Sequence, residues 1–349
     1  MHYGKGIELP CGQVMRALRL THALDMGVIA LPETGSILVV GPSMNDNFNF
    51  ASRDRIVILT GFKPYYDFFT QCGYQVTTKP TDGHAAALVC MPRSKDDALA
   101  LIALAQDAVV PGGLVMVDGQ KTDGIASLHR DMRNRGMASE ALSKAHGKIF
   151  SFIAGHDVSE WQTKMRKTDE GFITQAGLFS PDAPDRGSVL LANALPNKLG
   201  GHVVDLGAGW GYLSYQILKR ETVKHLDLVE AEANALDCAR QNVCDERANF
   251  HWLDARKFKP VRVADAVLCN PPFHTSRQAN SALGIEFITA AATILSPGGT
   301  LWLVANRHLP YGKHIAALFS DVEELGGDAT YRVIRAARPL RQTPNQTGA

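Results

Sequence analysis

The feature that most restricts the fold of this 349-residue chain is an internal repeat. Residues 87–92 (ALVCMP) match residues 266–271 (AVLCNP), and each match is followed by a Pro-Gly-Gly segment and an apolar run. Upstream, residues 35–41 (GSILVVG) resemble residues 201–207 (GHVVDLG). Each copy spans about 150 residues, which is the size of an ordinary domain. The repeat therefore predicts two homologous domains and argues against one large domain.

Apolar and β-branched runs alternate with segments of helical length in the second copy. The predicted elements are strands at 203–206, 224–229, 249–253, 264–268 and 300–304 and helices at 211–219 and 233–243. Such alternation predicts a mostly parallel sheet with helices on both faces. The Pro-Gly-Gly segments predict turns that end a helix and begin the next strand. We expect an α/β fold of two tandem Rossmann-like domains, 1–168 and 169–349, produced by gene duplication.

The composition argues against several classes of protein. Lys and Arg number 36 and Asp and Glu 35, so any contact with RNA must use local patches. No apolar stretch reaches the ~18 residues of a membrane-spanning helix, and the first residues lack the apolar core of a signal peptide. The six cysteines form no CxxC pair, and the twelve histidines show neither an HExxH motif nor a close cluster with carboxylates. We therefore expect a cytoplasmic monomer that contacts no membrane and binds no metal.

Residues 203–211 (VVDLGAGWG) describe a strand that ends in a glycine-rich turn. Glycines permit a tight turn and let a ligand approach the backbone closely. The dinucleotide fingerprint G-x-G-x-x-G fails here because position 212 is Tyr. The pattern is instead D-x-G-x-G-x-G, and the carboxylate of Asp205 at the strand end suits a ligand that carries an ammonium group.

Two further acids follow at the ends of later strands. Glu230 closes the next strand, where a carboxylate can accept both hydrogen bonds of a ribose diol. Asp254 follows a third strand, where its side chain can meet an adenine amino group. A glycine-rich turn alone is often purely structural, but three acids at successive strand ends favour a ligand. Ribose, adenine and an amino acid together describe S-adenosylmethionine, which we predict as the cofactor.

The segment 270–273 (NPPF) follows the fourth strand of this copy. The side-chain oxygen of Asn270 and a backbone carbonyl can both accept hydrogen bonds from a planar amino group, and the two prolines fix the backbone so that these acceptors converge. Phe273 offers a face on which a base can stack. Holding both N–H groups favours pyramidalisation of the amine, whose lone pair can then attack a sulfonium methyl group. The segment therefore predicts methyl transfer to an amino nitrogen.

With these motifs the second half resembles class I S-adenosylmethionine-dependent methyltransferases that carry the NPPF motif. The whole chain resembles the ribosomal RNA small subunit methyltransferase C family, which are 16S rRNA guanine-N2 methyltransferases, and their large-subunit relatives. The likeness also rests on residues 177–180 (GLFS), 185–188 (DRGS) and 304–311 (VANRHLPY). Members of this family are tandem duplications in which only the C-terminal copy keeps the cofactor site.

The resemblance implies a role for each motif residue. The residues implied to hold the cofactor are Asp205, Gly207, Ala208, Gly209, Gly211, Glu230, Asp254 and Asn270. Those implied to hold the guanine amine are Asn270, Pro271, Pro272 and Phe273. Residues 185–188 would help to close the cofactor pocket. Ala208 stands where the family often has Cys, and we expect little consequence because the contact there is through the backbone.

The first copy lacks these chemical groups. Val39 stands where Asp205 would be, Met91 replaces Asn270, and residues 41–44 (GPSM) replace the glycine-rich turn. Valine cannot neutralise an ammonium group and methionine cannot accept a hydrogen bond from an amine as an amide oxygen does. We therefore expect a degenerate methyltransferase-like domain without a cofactor site, which binds RNA or supports the second domain.

The predicted function is methyl transfer from S-adenosylmethionine to the exocyclic N2 amine of a guanine in small-subunit (16S) rRNA. The expected partner is rRNA or the small ribosomal subunit. One alternative keeps the chemistry and moves it to a large-subunit rRNA guanine, an adenine N6 or a protein glutamine amide. Another is a non-catalytic RNA-binding assembly factor, against which the intact Asp205, Glu230 and Asn270 argue.

Overall fold

The computed structural model describes residues 14–272 and 281–340, and it divides into two compact units between Lys164 and Met165. Each unit is built on a seven-stranded sheet with the same strand order. The first five strands are parallel, the sixth is antiparallel to them, and the seventh pairs antiparallel with the sixth. The predicted α/β fold with two Rossmann-like units is confirmed. Phe273 lies outside the described residues.

The first unit contains the sheet of strands β1 to β7. Its strands are β1 (Ile37–Val40), β2 (Ile56–Leu59), β3 (Gln75–Thr77), β4 (His84–Cys90), β5 (Val109–Gln120), β6 (Leu142–Lys144) and β7 (Gly147–Ile153), and its helices are α1 (Val14–Asp25), α2 (Lys63–Gln71), α3 (Lys95–Ala108) and α4 (Ile125–Asn134). The strand order is β3-β2-β1-β4-β5-β7-β6. Only the pairs β5–β7 and β6–β7 are antiparallel among those described.

The second unit repeats this plan after a small two-stranded ribbon. Its strands are β8 (Met165–Lys167), β9 (Ile173–Gln175), β10 (His202–Leu206), β11 (His225–Glu230), β12 (Ala248–Trp252), β13 (Ala264–Cys269), β14 (Leu295–Asn306), β15 (Phe319–Gly327) and β16 (Tyr331–Pro339), and its helices are α5 (Arg186–Ala194), α6 (Tyr212–Leu218), α7 (Ala233–Asn242), α8 (Ser281–Ile294) and α9 (Gly312–Leu318). The strand order is β12-β11-β10-β13-β14-β16-β15. The ribbon of β8 and β9 belongs to this unit, so the boundary lies before residue 165.

Alternation along the central strands explains why both faces of the second sheet are covered. In β10, Val203 packs into one apolar cluster with α5 and α6, whereas Val204 and Leu206 pack into a second cluster with α8 and α9. Successive strand side chains point to opposite faces, so β10, which is buried at every position, must be covered on both faces. The core of this unit therefore consists of two layers that sandwich the parallel sheet.

The Pro-Gly-Gly segments differ from the sequence-based expectation. They lie within β5 and β14 rather than in turns before them. Each of these strands begins to pair with its neighbour before the Pro-Gly-Gly residues, leaves them unpaired, and resumes pairing after them. In the second unit Ala264 pairs with Leu295, and the next pair is Ala266 with Thr300. The extra residues of β14 form an irregularity that the turn-forming residues accommodate. The first unit has the corresponding irregularity between His84 and Ala86.

Among the helices that the structure describes, none has the length and apolar character needed to cross a membrane.

Candidate functional site

The motif residues of the second unit meet at one edge of its sheet. Strands β10, β11 and β13 are parallel neighbours, and their register pairs Leu206 with Val229 and with Cys269. Because parallel strands end at the same edge, the turns that follow them come together there. Asp205, Glu230 and Asn270 lie at or directly after these three strand ends.

Asp205 is completely buried near the end of β10. Its Oδ2 accepts a hydrogen bond of 2.6 Å from the hydroxyl of Ser214 in α6, while its Oδ1 has no partner among the described residues. Burial raises the pKa of Asp205 to about 7, opposed by the Ser214 hydrogen bond and reinforced by the charge of Glu230. A buried carboxylate oxygen without a partner is costly, and it creates a strong preference for a cationic donor.

The glycine-rich turn binds the side chain of Glu230. The backbone N–H of Gly209 donates to Glu230 Oε2 and that of Glu232 donates to Oε1, each at 2.8 Å. Gly209 has φ +55°, and a Cβ there would meet nothing within 4 Å, so the turn leaves open space beside the backbone. Gly211 has φ +93°, and a Cβ would come within 3.3 Å of Ala239 in α7. The glycines thus serve both turn geometry and close helix packing.

Glu230 keeps acceptor capacity despite these bonds. Burial raises its pKa, although the backbone hydrogen bonds oppose that shift. Each carboxylate oxygen has two lone pairs, so each can accept a second hydrogen bond from a ligand hydroxyl. The two backbone N–H groups hold this carboxylate beside the glycine-rich turn.

Asp254 is placed differently from the simple expectation. It caps the short 3-10 helix Ala255–Lys257 and forms an ion pair with Arg256, whose Nη2 lies 2.6 Å from Oδ2. Arg256 also reaches Glu286 of α8 at 2.7 Å. Although burial opposes it, the hydrogen bonds from Arg256 lower the pKa of Asp254. The carboxylate is therefore ionised and already has a strong partner, so only its remaining lone pairs can contact an adenine.

The Asn270 side chain has two partners that the sequence did not connect with it. Its Nδ2 donates to Asp185 Oδ2 and to Ser188 Oγ, each at 2.8 Å. Asp185 is the N-cap residue of α5, and its Oδ2 also accepts from the backbone N–H of Ser188 at 3.0 Å. Of the two prolines that follow, Pro271 is buried and Pro272 is exposed.

A small cavity of about 50 Å³ lies between the glycine-rich turn and Asn270. Its walls include Gly207, Ala208, Gly209, Asn270 and the α5 cap. The structure thus brings together the glycine-rich turn and the start of the NPPF segment. Four of the predicted cofactor residues are not among those that line it: Asp205, Gly211, Glu230 and Asp254.

Trp210 connects the glycine-rich turn to the segment that precedes α5 through a hydrogen bond and ring packing. Its indole Nε1 donates to the carbonyl of Phe179 at 3.0 Å, and its ring lies 5.2 Å from that of Phe172. Its own carbonyl accepts from Asn242 of α7 at 2.8 Å. Trp210 therefore packs between two neighbouring segments and also forms part of the cavity wall.

One cluster of histidines corrects the expectation that none lies close to carboxylates. His202, His225 and Asp227 present potential metal-ligand atoms within 4.8 Å of one another. His225 and Asp227 are two residues apart in β11, so both point to the same face, and His202 pairs with His225 in register. Strand periodicity was the signal that could have revealed this cluster.

Hydrogen bonding accounts for the geometry of this cluster. Nε2 of His202 lies 2.8 Å from Asp227 Oδ2, and Nε2 of His251 lies 2.7 Å from Oδ1. Although burial opposes it, these hydrogen bonds hold the pKa of Asp227 well below its usual value. The cluster lies at the start of β10 and β11, at the opposite end of the strands from Asp205.

In the first unit the corresponding strand ends hold ion pairs. Asp118, which pairs with Cys90 at the end of β4, is fully buried and accepts two bonds of 2.8 Å from Arg19 of α1. Arg16 lies 3.0 Å from Asp118 and 3.2 Å from Asp46, which follows the turn after β1. Charged groups that satisfy one another therefore occupy this edge of the first sheet.

Comparisons with known proteins agree with this architecture. A family model described as "Methyltransferase small domain" matches residues 169–335. The ribosomal RNA small subunit methyltransferase C of Shewanella piezotolerans is 30% identical over 277 residues, which is 75% of this chain and 79% of that protein. Its namesake from Shewanella oneidensis is 31% identical over 251 residues, or 67% of this chain and 72% of that protein.

A solved structure shares the fold over nearly the whole length. The T. thermophilus 16S rRNA N2 G1207 methyltransferase, in complex with AdoMet and guanosine, has a TM-score of 0.73. The match covers 91% of this chain and 92% of that one at 19% identity. At this identity the likeness shows the shared fold.

Proposed function

The chain belongs to the ribosomal RNA small subunit methyltransferase C family, and we propose that it methylates the exocyclic N2 amine of a guanine in 16S rRNA. It is a class I methyltransferase, and S-adenosylmethionine is its cofactor. The observation that carries the proposal is the cavity in which the glycine-rich turn and Asn270 face one another. In this proposal the methyl donor lies along the turn, next to acceptors for an amino group on the Asn270 side. The related enzyme from T. thermophilus, whose complex contains guanosine, supports guanine as the base.

We propose that the cofactor lies along the glycine-rich turn. The unpartnered Oδ1 of Asp205 supports this, because it is a buried acceptor that an ammonium group would satisfy. Backbone of Gly207, Ala208, Gly209 and Gly211 would contact the methionine part. Glu230 would accept from the ribose hydroxyls and Asp254 would lie toward the adenine. S-adenosylmethionine supplies a sulfonium-bound methyl group, and these residues orient it toward Asn270.

The acceptor site consists of Asn270 and the residues after it. The Asn270 oxygen and the carbonyl of Pro271 would each accept one N–H of the guanine N2 amine. Pro272 restricts the backbone there, and Phe273 is proposed to stack on the base. These contacts restrain the amine and direct its lone pair to the methyl carbon, and the proton is lost to water after transfer. Positioning of this kind supplies a large part of the barrier lowering in a displacement reaction.

We propose that the first unit is a non-catalytic domain that supports the second or binds RNA. Val39 is completely buried in the sheet, and Met91 is buried where the second unit has Asn270. Asp118 of β5, next to the end of β4, is already paired with Arg19 of α1. Buried groups that already satisfy one another offer nothing to an ammonium group.

The partner in this proposal is 16S rRNA or the small ribosomal subunit, and the proposed location is therefore the cytoplasm. A monomeric state and the absence of a metal remain predictions. Analytical ultracentrifugation and elemental analysis of the purified protein test them directly.

The function is tested by methyl transfer from labelled S-adenosylmethionine. The substrates are small subunits, large subunits, naked rRNA and a release factor, all from cells that lack this protein. The labelled product is digested to monomers and identified. We expect N2-methylguanosine from the small subunit or its rRNA.

The Asn270→Ala variant tests the proposed acceptor site. It removes the amide acceptor, so we expect transfer to fall by at least roughly a hundredfold while cofactor affinity changes little. Label in another nucleoside, in the large subunit or in the release factor would refute the proposed substrate. Cofactor binding without any transfer would favour the assembly-factor alternative.

A further inference from the structure

We propose that Asp185 and Ser188 are positioning residues that fix the Asn270 amide with its oxygen toward the methyl acceptor. This inference rests on the proposed function and deepens it. It assigns these two residues, which also line the cavity, to the orientation of Asn270.

The hydrogen-bond geometry sets the orientation of the amide. An amide nitrogen has two N–H groups, and Asn270 uses them on Asp185 Oδ2 and Ser188 Oγ, each at 2.8 Å. An ionised carboxylate can only accept hydrogen bonds. A flipped amide would place its oxygen against Asp185 Oδ2 and would lose this bond. The amide oxygen of Asn270 therefore points away from α5.

The local sequence explains why Asp185 is held in this place. Asp185 caps α5 by accepting from the Ser188 N–H at 3.0 Å, and a carboxylate is favoured at a helix N-terminus. Gly187 lies between them, and a Cβ there would come 2.9 Å from Asp185 Oδ2 and 3.2 Å from the Tyr331 ring. The pattern Asp-x-Gly-Ser thus supplies a cap, the clearance it needs and a second acceptor.

The orientation matters because the two ends of an amide have opposite hydrogen-bonding character. The guanine N2 amine presents two N–H donors, so it needs acceptors. With the nitrogen held by α5, the Asn270 oxygen meets one of these donors. A flipped amide would present its own N–H groups to the amine and would lose that contact. Loss of the hydrogen bonds from Asn270 to Asp185 and Ser188 should therefore slow methyl transfer rather than weaken cofactor binding.

Three variants separate positioning from helix capping. Asp185→Ser keeps a good cap, but its side chain is too short to make the same bond to Asn270. Ser188→Ala removes the second acceptor and keeps the backbone N–H that Asp185 caps. Asp185→Asn retains both the cap and an acceptor oxygen, so it is the conservative rescue. Ser94→Ala removes the cap of α3, where Ser94 accepts from Asp97 at 3.2 Å far along the chain from this site, and serves as control.

We expect kcat to fall roughly tenfold to hundredfold in Asp185→Ser and Ser188→Ala, the range for loss of a hydrogen bond to a charged or positioning group. KM for the small subunit and Kd for S-adenosylmethionine should stay within about threefold. Asp185→Asn should recover most of the rate, and Ser94→Ala should keep the wild-type kcat. Wild-type kcat in Asp185→Ser and Ser188→Ala would overturn the inference. So would a loss confined to cofactor affinity.

A second measurement does not depend on the substrate. The side-chain NH2 of Asn270 can be assigned by nitrogen NMR through its absence in Asn270→Ala. Two hydrogen bonds should slow its exchange with water in the wild type, and Asp185→Ser should accelerate it by at least about tenfold. Equal exchange rates of the Asn270 side-chain NH2 in the wild type and Asp185→Ser would refute the inference that Asp185 holds this amide. If the wild type fails to methylate small subunits, the proposed function is wrong, and this exchange measurement still decides the inference.

Discussion

The buried carboxylate of Asp205 should make cofactor binding depend on pH near neutrality. Its pKa lies at about 7, so much of it is protonated in the cofactor-free protein at pH 6. Only the ionised form can pair with an ammonium group. Binding should therefore strengthen as the pH rises through about 7, and Asp205→Asn should abolish this dependence.

The magnitude follows from two titrations. A carboxyl with a pKa of about 7 is ionised to about 9% at pH 6 and about 76% at pH 7.5, and an α-amino group with a pKa near 8 is about 99% and 76% protonated. The product of the two fractions rises roughly sixfold between these values. The product falls again above about pH 7.5 because the ligand amine loses its proton. The affinity profile should be bell-shaped with a maximum near pH 7.5.

Isothermal titration calorimetry of the protein with S-adenosylmethionine between pH 5.5 and 9 measures this profile. Asp205→Asn should bind roughly tenfold to hundredfold more weakly, because a charge-assisted hydrogen bond is lost. Its affinity for S-adenosylmethionine should still fall at alkaline pH but should no longer rise with pH below 7.5. Glu232→Gln is the matched control, because burial and the charge of Glu230 raise the pKa of Glu232 to about 7 as well. The affinity of Glu232→Gln for S-adenosylmethionine should still rise between pH 6 and 7.5, as in the wild type.

The same shift has a consequence for the stability of the cofactor-free protein. A carboxyl whose folded pKa lies above its unfolded value of about 4 favours folding when protonated. The stability contributed by Asp205 is thus full below pH 4 and declines until about pH 7. The free energy of unfolding of the wild type should fall relative to Asp205→Asn across this range.

For the binding prediction, two results would refute the reasoning. One is a Kd for S-adenosylmethionine that is constant between pH 6 and 7.5, and the other is a rise in affinity with pH that persists in Asp205→Asn.

Three further predictions concern stability, each measured by urea unfolding. Gly284→Ala should destabilise the protein by about 1–3 kcal/mol or more, because the new Cβ would overlap the buried hydroxyl of Tyr311; no loss would contradict this packing. Tyr311→Phe should be neutral or stabilising by about 1 kcal/mol, since that hydroxyl has no partner among the described residues; a clear loss would indicate a bond that the structure does not contain. Asp118→Ala should cost about 3–5 kcal/mol, because the buried Arg19 would lose the carboxylate of its ion pair; a cost below 1 kcal/mol would show that this ion pair is not needed.

The fold was predictable because the strongest signals are local and repeated. The alternation of apolar runs and helical segments fixed the strands of the second unit to within a few residues, as in β10 (His202–Leu206) and β11 (His225–Glu230). The Pro-Gly-Gly segments were misread because turn-forming residues also occur at irregularities inside strands. Only the pairing register, which skips between Ala264 and Ala266, distinguishes these two cases.

The candidate site was predictable only in part. Residues at strand ends could be grouped, because parallel strands bring their ends to one edge. Contacts between segments distant in sequence could not, and the bond from Asn270 to Asp185 spans 85 residues. The Arg256 partner of Asp254 was equally hidden, since nothing in the spacing shows which way a long side chain turns.

Comparison of the two units shows how one sheet edge can either bind a ligand or stabilise the fold. Both units place a helix before the first strand and a turn after it. In the second unit these elements leave an unpartnered carboxylate oxygen on Asp205. In the first unit the same kind of helix supplies Arg16 and Arg19, which neutralise Asp118 within the fold. A buried charge must be compensated. In the first unit the chain itself compensates Asp118 of β5, whereas we propose that a ligand cation compensates Asp205 of β10. Restoring an acid at Val39 alone should therefore fail to create a cofactor site, because arginines already occupy that edge.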